Sequence, residues 1–321
     1  MRQGLTLLTV FPLLVAVYYP GCDPQLRSTV PAVQAPIDEL WRPPHAIAAQ
    51  DLFHGPWGQA FAPEPAATYR FLRSKARGIN PGMTVSDPAG GEWSVKQAPH
   101  DGRGAEGPIE VVLSRVLSAV GYHQPPVYYL PEFQLSDTFG VRSEPGGRFR
   151  LAHHALKERG SWAWQENPFV GTRPYQGLLV ILLMFNSSDL KNSNNTIYEH
   201  AVAPGTAERW YVVRDLGTAL GSTARMRPTR GDPDRFVSGP FLLGTQGGYV
   251  RFGYNGWHEE LLSDRITPAD VRWASALLAQ LTDTQWRDAF RAGGFEPAAA
   301  GRFISRLREK VVEGLALADA T

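Results

Sequence analysis

The stretch NSSDLKNSNN, residues 186–195, follows directly on GLLVILLMF at 177–185, the most apolar run beyond the N-terminal leader. Packing alone gives a chain emerging from such a run no reason to surface into an aspartate, a lysine and a cluster of asparagines. Those residues either end a helix through side-chain-to-backbone turns or present oxygen atoms for chemistry, and their surroundings decide which. Upstream, RPYQGLLVILLMF from 173 reads as a buried helix. Downstream, NTIYEHAV (195–202) and ERWYVVRDLG (208–217) read as two strands about the turn APGTA. The second strand returns to the end of the helix and delivers Asp215, Leu216 and Gly217. Two carboxylates, Asp189 and Asp215, and the amide oxygen of Asn194 are thereby expected at one mouth. A carboxylate such as Asp189 orients a hydroxyl and accepts its proton. Asn194 and Asp215 are hard oxygen donors of the kind that hold magnesium or manganese.

A cation is expected from the first half of the chain. GMTVSDPAGGEWSVKQA (82–98) alternates apolar and polar residues about a Pro/Gly turn and reads as a hairpin, with Lys96 on its second strand. GPIEVVLSRVLSAVGY (107–122) then reads as an amphipathic helix with Pro108 in its first turn, Gly121 as its stop and Glu110 near its start. PPVYYLPEF (125–133) adds a further strand. A strand lysine braced by a helix glutamate points at the phosphates of ATP. Phosphoryl transfer asks little more of a protein than metal clamps, a cation on the phosphates and an aligned nucleophile.

In this order and placement the four stretches resemble the protein-kinase-like fold, in the diverged branch that includes the HipA-type kinases, phosphoinositide kinases and the secreted kinases related to spore-coat CotH. The resemblance spans most of residues 68–260. It implies an α+β, bilobal fold, with a small antiparallel sheet plus one helix as N-lobe at 66–135 and a mainly helical C-lobe at 136–321. It further implies ATP with Mg2+ or Mn2+ as cofactors. Lys96 matches the strand lysine and Glu110 its helix partner; Asp189 matches the catalytic aspartate, and Asn194 and Asp215 match the metal ligands. Lys191, two residues after Asp189, is expected to neutralise the transferring phosphate or to be an exposed loop lysine. The chain departs from the pattern in two places. No GxGxxG precedes Lys96, where RGINPGM offers only Gly78 and Gly82, and Ser187 and Ser188 replace the usual histidine and arginine before the catalytic aspartate. The function implied is an ATP- and metal-dependent phosphotransferase acting on a hydroxyl of a protein, a sugar or a lipid headgroup. The same residues permit nucleotidyl transfer to protein. Rivals from other classes are a non-catalytic, pseudokinase-like exported binding lipoprotein and a structural envelope lipoprotein of unrelated fold.

Composition bounds the rest. A chain of 321 residues is sized for about two domains of roughly 150 residues. Its 32 basic residues balance 31 acidic ones, so no basic excess argues for a nucleic-acid partner. The first 22 residues, MRQGLTLLTVFPLLVAVYYPGC, have the layout of an export leader. They end on the chain's one cysteine, Cys22, and so resemble a bacterial lipoprotein signal, with Gly21 fitting and Tyr19 and Pro20 departing from it. An ordinary signal peptide, another anchor or a cytoplasmic chain are the alternatives. The expected location is the cell envelope, with membrane attachment only through the N-terminus. Residues 23–65, rich in Pro, Ala and Gln, read as a tether, disordered or draped over the domain by the anchors Trp41, Phe53 and Trp57. Arg225, Arg227, Arg230 and Arg235 follow the DLG strand and read either as a solvated loop or as a grip on an acidic group. His153 and His154, and WHEE at 257–260, read as structural. Near the C-terminus, Thr267 with Asp270 and Thr282 with Gln285 have the spacing of helix caps.

Overall fold

The computed structural model describes residues 35–75, 81–98, 106–224 and 226–318. The leader with Cys22, the loop glycine Gly78 and Arg225 lie outside the described residues. Residues 35–65 lie draped over the body in three short 3-10 turns, Ile37–Glu39, Ile47–Ala49 and Gln59–Phe61. Leu40, Ile47 and Leu52 enter the main core. Two of the aromatic anchors are also held by hydrogen bonds. Trp41 Nε1 donates to Val120 O at 2.7 Å and Trp57 Nε1 to Gln124 O at 3.0 Å. Phe53 lies under the Arg291 guanidinium at 4.1 Å.

The first structural unit is a closed barrel. Its strands are β1 (Thr68–Ser74), β2 (Gly82–Ser86) and β3 (Glu92–Gln97), then, after helix α1 (Glu106–Ala119), β4 (Val127–Asp137) and β5 (Gly140–Leu151). They close in the order β1-β2-β3-β5-β4. All neighbours are antiparallel except β1 and β4, so the expected antiparallel sheet is joined into a barrel by one parallel pairing. The sheet also runs past residue 135, because β5 returns along β4 as a long hairpin. Its glycine-rich middle hides this strand from a reading of alternation. A Cβ at Gly146 would lie 2.3 Å from Pro131 O, so the close approach of the two backbones requires glycine there. Tyr69, Val85, Trp93, Val95, Phe133 and Phe149 fill the barrel. Successive strand residues point to opposite faces, so the neighbours of these residues are turned outward, toward α1 and the rest of the molecule.

The second half carries β6 (Leu156–Gly160), α2 (Arg173–Met184), β7 (Asn195–Ala203) and β8 (Thr206–Val213), the three strands forming one sheet in sequence order. There follow α3 (Pro233–Ser238), the ribbon β9 (Leu242–Gln246) and β10 (Tyr249–Phe252), and the helices α4 (Pro268–Leu278), α5 (Asp283–Ala292) and α6 (Pro297–Leu315). The chain is thus mixed α/β, with six α-helices among the described residues. Helix α2 starts on a Thr172 cap and is buried from Tyr175 to Met184. Both C-terminal caps form as full capping boxes, Thr267 with Asp270 and Thr282 with Gln285; each satisfies two backbone donors that a helix start leaves open. The main core joins α1, through Ile109, Val112, Leu113 and Val116, to α2 and the last three helices. The last two residues of WHEE open a single 3-10 turn, Glu259–Leu261. Among the described residues no helix is long and apolar enough to cross a membrane.

Candidate functional site

Strand alternation aims the lysine. Trp93 and Val95 point into the barrel, so Ser94 and Lys96 leave by the other face, toward the start of α1. Lys96 is 8% exposed, and its Nζ lies 2.8 Å from Glu106 Oε2 and 3.7 Å from Asp215 Oδ1. The helix acid that grips Lys96 is therefore Glu106, which corrects the expected pairing with Glu110. Glu110 sits one turn further along the same helix face and is claimed by β5. Phe149 of β5 fills the barrel, so Arg148 and Arg150 share its outer face. In register, Lys96 stands opposite Arg148 and Ser94 opposite Arg150. Arg148 Nε lies 3.3 Å and Arg150 Nη2 2.5 Å from Glu110 Oε1, with Glu110 itself 2% exposed.

The second carboxylate arrives at the end of β8. Asn195 pairs with Val213, and the ladder continues with Arg214 N donating to Asn194 O at 2.8 Å. This bond places Asn194 directly beside the residue before Asp215. Asp215 then takes a left-handed backbone, φ 52°, a conformation that Asp and Asn tolerate better than most residues. The turn it opens packs on the start of α1, since a Cβ at Gly217 would lie 2.6 Å from Glu106 O and 2.7 Å from Glu106 Cβ. Glycine here makes room for the helix that carries the lysine's partner.

The loop after α2 is tied to the same turn. Leu220 N donates to Phe185 O at 2.8 Å and Ser188 N to Thr218 O at 3.3 Å, so residues 185–188 and 218–220 run side by side. Asn186, also left-handed at φ 54°, donates Nδ2 to Gly221 O at 2.7 Å, and its Oδ1 accepts from Lys310 Nζ of α6 at 2.8 Å. Within the loop, Asn194 Nδ2 donates to Asp189 O at 2.8 Å, leaving Oδ1 as the amide's acceptor. Lys191 Nζ lies 2.8 Å from Asp189 Oδ1 and 5.3 Å above the Trp257 ring. Of the expected residues, Lys96 and Asp215 meet directly. Asp189, Lys191 and Asn194 form one loop, joined to Asp215 through the backbone of Arg214.

Electrostatics favour the ionised forms. Burial pushes the Asp215 carboxyl up, but Arg150, Lys96, Arg148 and Arg214 together hold it far below the usual carboxylate range. For Glu110 burial again opposes, and Arg148, Arg150 and Lys96 outweigh it to lower the pKa. Lys96 is pushed down by burial and raised on balance by Glu110, Asp215 and Glu106. A cavity of about 430 Å³ opens beside Asp215, with Ser94, Arg148, Arg150, Tyr198 and Arg214 in its walls. That volume lies in the range of small-molecule sites. Among the described residues no group of three or more His, Cys, Asp or Glu side chains is placed to hold a metal. His153 and His154 stack on each other at 4.5 Å beside Trp57.

Glu106, Arg148 and Arg150 were not expected at the site, and Arg230 was only one of four loop arginines read as solvated or as a grip on an acidic group. Arg230, grouped there with the loop arginines, turns inward to Glu106 Oε1 at 2.9 Å, whereas Arg227 and Arg235 are exposed. Two of the signals were present. Glu106 and Glu110 are spaced to share a helix face, and Arg148 and Arg150 are spaced to share a strand face.

No protein-family model matches the chain, and no curated protein matches it. Among solved structures, the Helicobacter pylori proinflammatory kinase CtkA aligns with 78% of this chain and 97% of its own, at 9% sequence identity and a TM-score of 0.43.

Proposed function

We propose that this chain is an ATP- and metal-dependent phosphotransferase acting on a hydroxyl acceptor. In this reading it has a kinase-like, bilobal architecture, with the barrel and α1 as the smaller lobe and the remainder as the larger. The observation that carries the reading is the position of the Lys96 ammonium. A strand lysine, a helix acid and the aspartate of a strand-ending DLG converge within 2.8 and 3.7 Å although they lie on separate parts of the chain. Phosphoryl transfer uses such a convergence: a cation for the phosphates next to a carboxylate for their metal.

The donor set fits a magnesium or manganese ion. These cations take few protein ligands, one or two carboxylates with the remainder from water and phosphate oxygens. Asp215 is held ionised by its cationic neighbours and keeps 40% of its side chain exposed, and Asn194, whose backbone carbonyl accepts from Arg214 N, would supply its amide oxygen as a second ligand. When bound, the metal would neutralise charge on the phosphates. Lys96 would hold the phosphate oxygens, steadied by Glu106. Asp189 would orient the acceptor hydroxyl and take its proton as the oxygen attacks the terminal phosphorus and ADP departs. Lys191, 2.8 Å from Asp189, would offset the charge of the passing phosphoryl group.

The test is thermal stabilisation by ATP with Mn2+, together with incorporation of phosphate or AMP, for the wild type, Asp215→Ala and Asp189→Ala. Asp215→Ala is expected to lose metal-dependent nucleotide binding. Asp189→Ala is expected to keep binding and lose transfer. An equal nucleotide response in all three proteins would refute the assignments, and binding without transfer in the wild type would make the chain a nucleotide-binding protein instead.

A further inference from the structure

Four lysine and arginine side chains stand in the walls of the cavity beside Asp215: Lys75, Arg148, Arg150 and Arg214. Three of them have partners. Glu110 holds Arg148 and Arg150, and Glu158 with the Tyr198 hydroxyl holds Arg214. Lys75, the residue after β1, is exposed at the rim, and among the described residues its ammonium has neither an acid nor a hydrogen-bond acceptor. Its backbone is fixed, since Lys75 N donates to Gly82 O at 2.8 Å. Gly82 pairs in register with Lys96. Directly opposed residues of a strand pair share a face, so a side chain at 82 would lie beside that of Lys96. The Lys75 stem takes the space instead: a Cβ at Gly82 would lie 3.4 Å from Lys75 Cβ and 3.1 Å from its Cδ. The missing side chain at Gly82 thus lets Lys75 lie along the Lys96 face, in the wall it shares with Asp215.

That position is unfavourable in the protein alone. Partial burial disfavours the charge on the Lys75 ammonium, Asp215 attracts it, and Lys96, Arg148 and Arg150 repel it, so that its pKa is lowered. What the arrangement lacks is an anion, and a phosphate chain held at Lys96 would bring several negative oxygens to it. The β1–β2 connection has no GxGxxG to cover such a chain with backbone amides, which leaves a side chain to supply the grip. We propose that Lys75 is a second phosphate-binding residue, its ammonium reaching over Gly82 to the phosphates of the nucleotide that Lys96 also holds. The proposal rests on the reading that Lys96 and Asp215 receive nucleotide and metal.

The experiment measures the dissociation constant for ATP with Mn2+, and the melting midpoint without nucleotide, in the full chain. It compares wild type, Lys75→Gln, Lys75→Arg, Gly82→Ala and the double variant of Lys75→Gln with Gly82→Ala. Lys75→Gln is expected to raise the dissociation constant by roughly three- to tenfold, between the scale of an exposed ion pair and that of a hydrogen bond to a charged group. Its melting midpoint should not fall, because no ion pair is lost with the ammonium. Lys75→Arg, which keeps the charge, should recover most of the affinity. Gly82→Ala, whose methyl group meets the Lys75 stem, should weaken ATP binding in the wild-type background and add nothing in the Lys75→Gln background, the sign that it acts through Lys75. Wild-type affinity in Lys75→Gln, a midpoint that falls with it, or a Gly82→Ala effect undiminished in the double variant would overturn the proposal. Lys96→Ala and Asp215→Ala proteins that bind ATP as the wild type does would overturn the underlying reading as well. If those two bind weakly and Lys75→Gln binds as the wild type does, only the assignment of Lys75 falls.

Discussion

Replacing Glu110 with glutamine strikes a deeply enclosed ion cluster. The Glu110 side chain is 3% exposed, that of Arg148 2% and that of Arg150 14%. Glutamine keeps the size of the side chain but sets a neutral amide before two guanidiniums at 3.3 and 2.5 Å. Removing one partner of a buried ion pair costs about 3–5 kcal/mol. At about 2–4 °C per kcal/mol for a chain of a few hundred residues, the melting midpoint should fall by roughly 6–20 °C. The pH dependence follows from the sign of the shift. The arginines depress the folded-state pKa of Glu110, so its contribution is complete above the unfolded value near 4.3 and is lost as pH falls. The stability curves of wild type and Glu110→Gln should therefore converge as the solution is acidified below about pH 4.5. Urea unfolding followed by tryptophan fluorescence at pH 7 and pH 4 measures both effects. The reasoning fails if Glu110→Gln lies within about 1 kcal/mol of wild type at pH 7, well short of a broken buried pair. It also fails if Glu106→Gln, aimed at the acid assigned to function, destabilises the fold more than Glu110→Gln does.

Two further substitutions separate packing from chemistry. Gly217→Ala would drive a methyl group into the first residue of α1, where backbone and Cβ atoms of Glu106 stand 2.6–2.8 Å from the new carbon. Overpacking of this kind typically costs about 1–3 kcal/mol, and the displaced Glu106 should take ATP–Mn2+ stabilisation with it; a variant with wild-type nucleotide response contradicts the packing argument. Lys310, 0% exposed and bonded to Met184 O and Asn186 Oδ1, is pushed by burial well below the ordinary lysine range. The unfolded chain then binds the extra proton, so wild-type stability should rise with pH above the folded-state pKa, by at most about 1.4 kcal/mol per unit. Lys310→Met should lack that rise between pH 7.5 and 9.5, and parallel urea-unfolding curves for the two proteins would refute the assignment.

Much of the site was legible because its residues lie where periodicity changes. The apolar run that ends at Phe185 becomes α2, and the hairpin about the Pro/Gly turn at 87–91 becomes β2 and β3, so Lys96 falls on a strand as expected. NTIYEHAV and ERWYVVRDLG pair, which brings Asn194 beside the Asp215 turn. The choice between Glu106 and Glu110 was not legible. Two acids one turn apart share a helix face, and what separates them is long-range: β5 lies next to β3 and its arginines draw Glu110 away. The strand that does this was hidden for a local reason, since Gly146 and Gly147 interrupt its alternation to let β4 and β3 approach closely. Which of the loop arginines turns inward was not legible because loop sequence carries no period; the backbone bonds of Gly231 and Asp232 to Ala219 and Leu220 and the ion pair with Glu106 single out Arg230.

The central claim is that the Lys96 amine lies against the phosphates of a nucleotide whose metal is held at Asp215. An acyl-phosphate derivative of ATP acylates an amine only where that amine meets the phosphates, so peptide mass spectrometry after its reaction with the full chain reads the contact directly. The account predicts acylation at Lys96, suppressed by excess ATP with Mn2+ and absent from Asp215→Ala. Acylation confined to other lysines, or labelling of Lys96 that neither the competitor nor the Asp215 substitution changes, would contradict it.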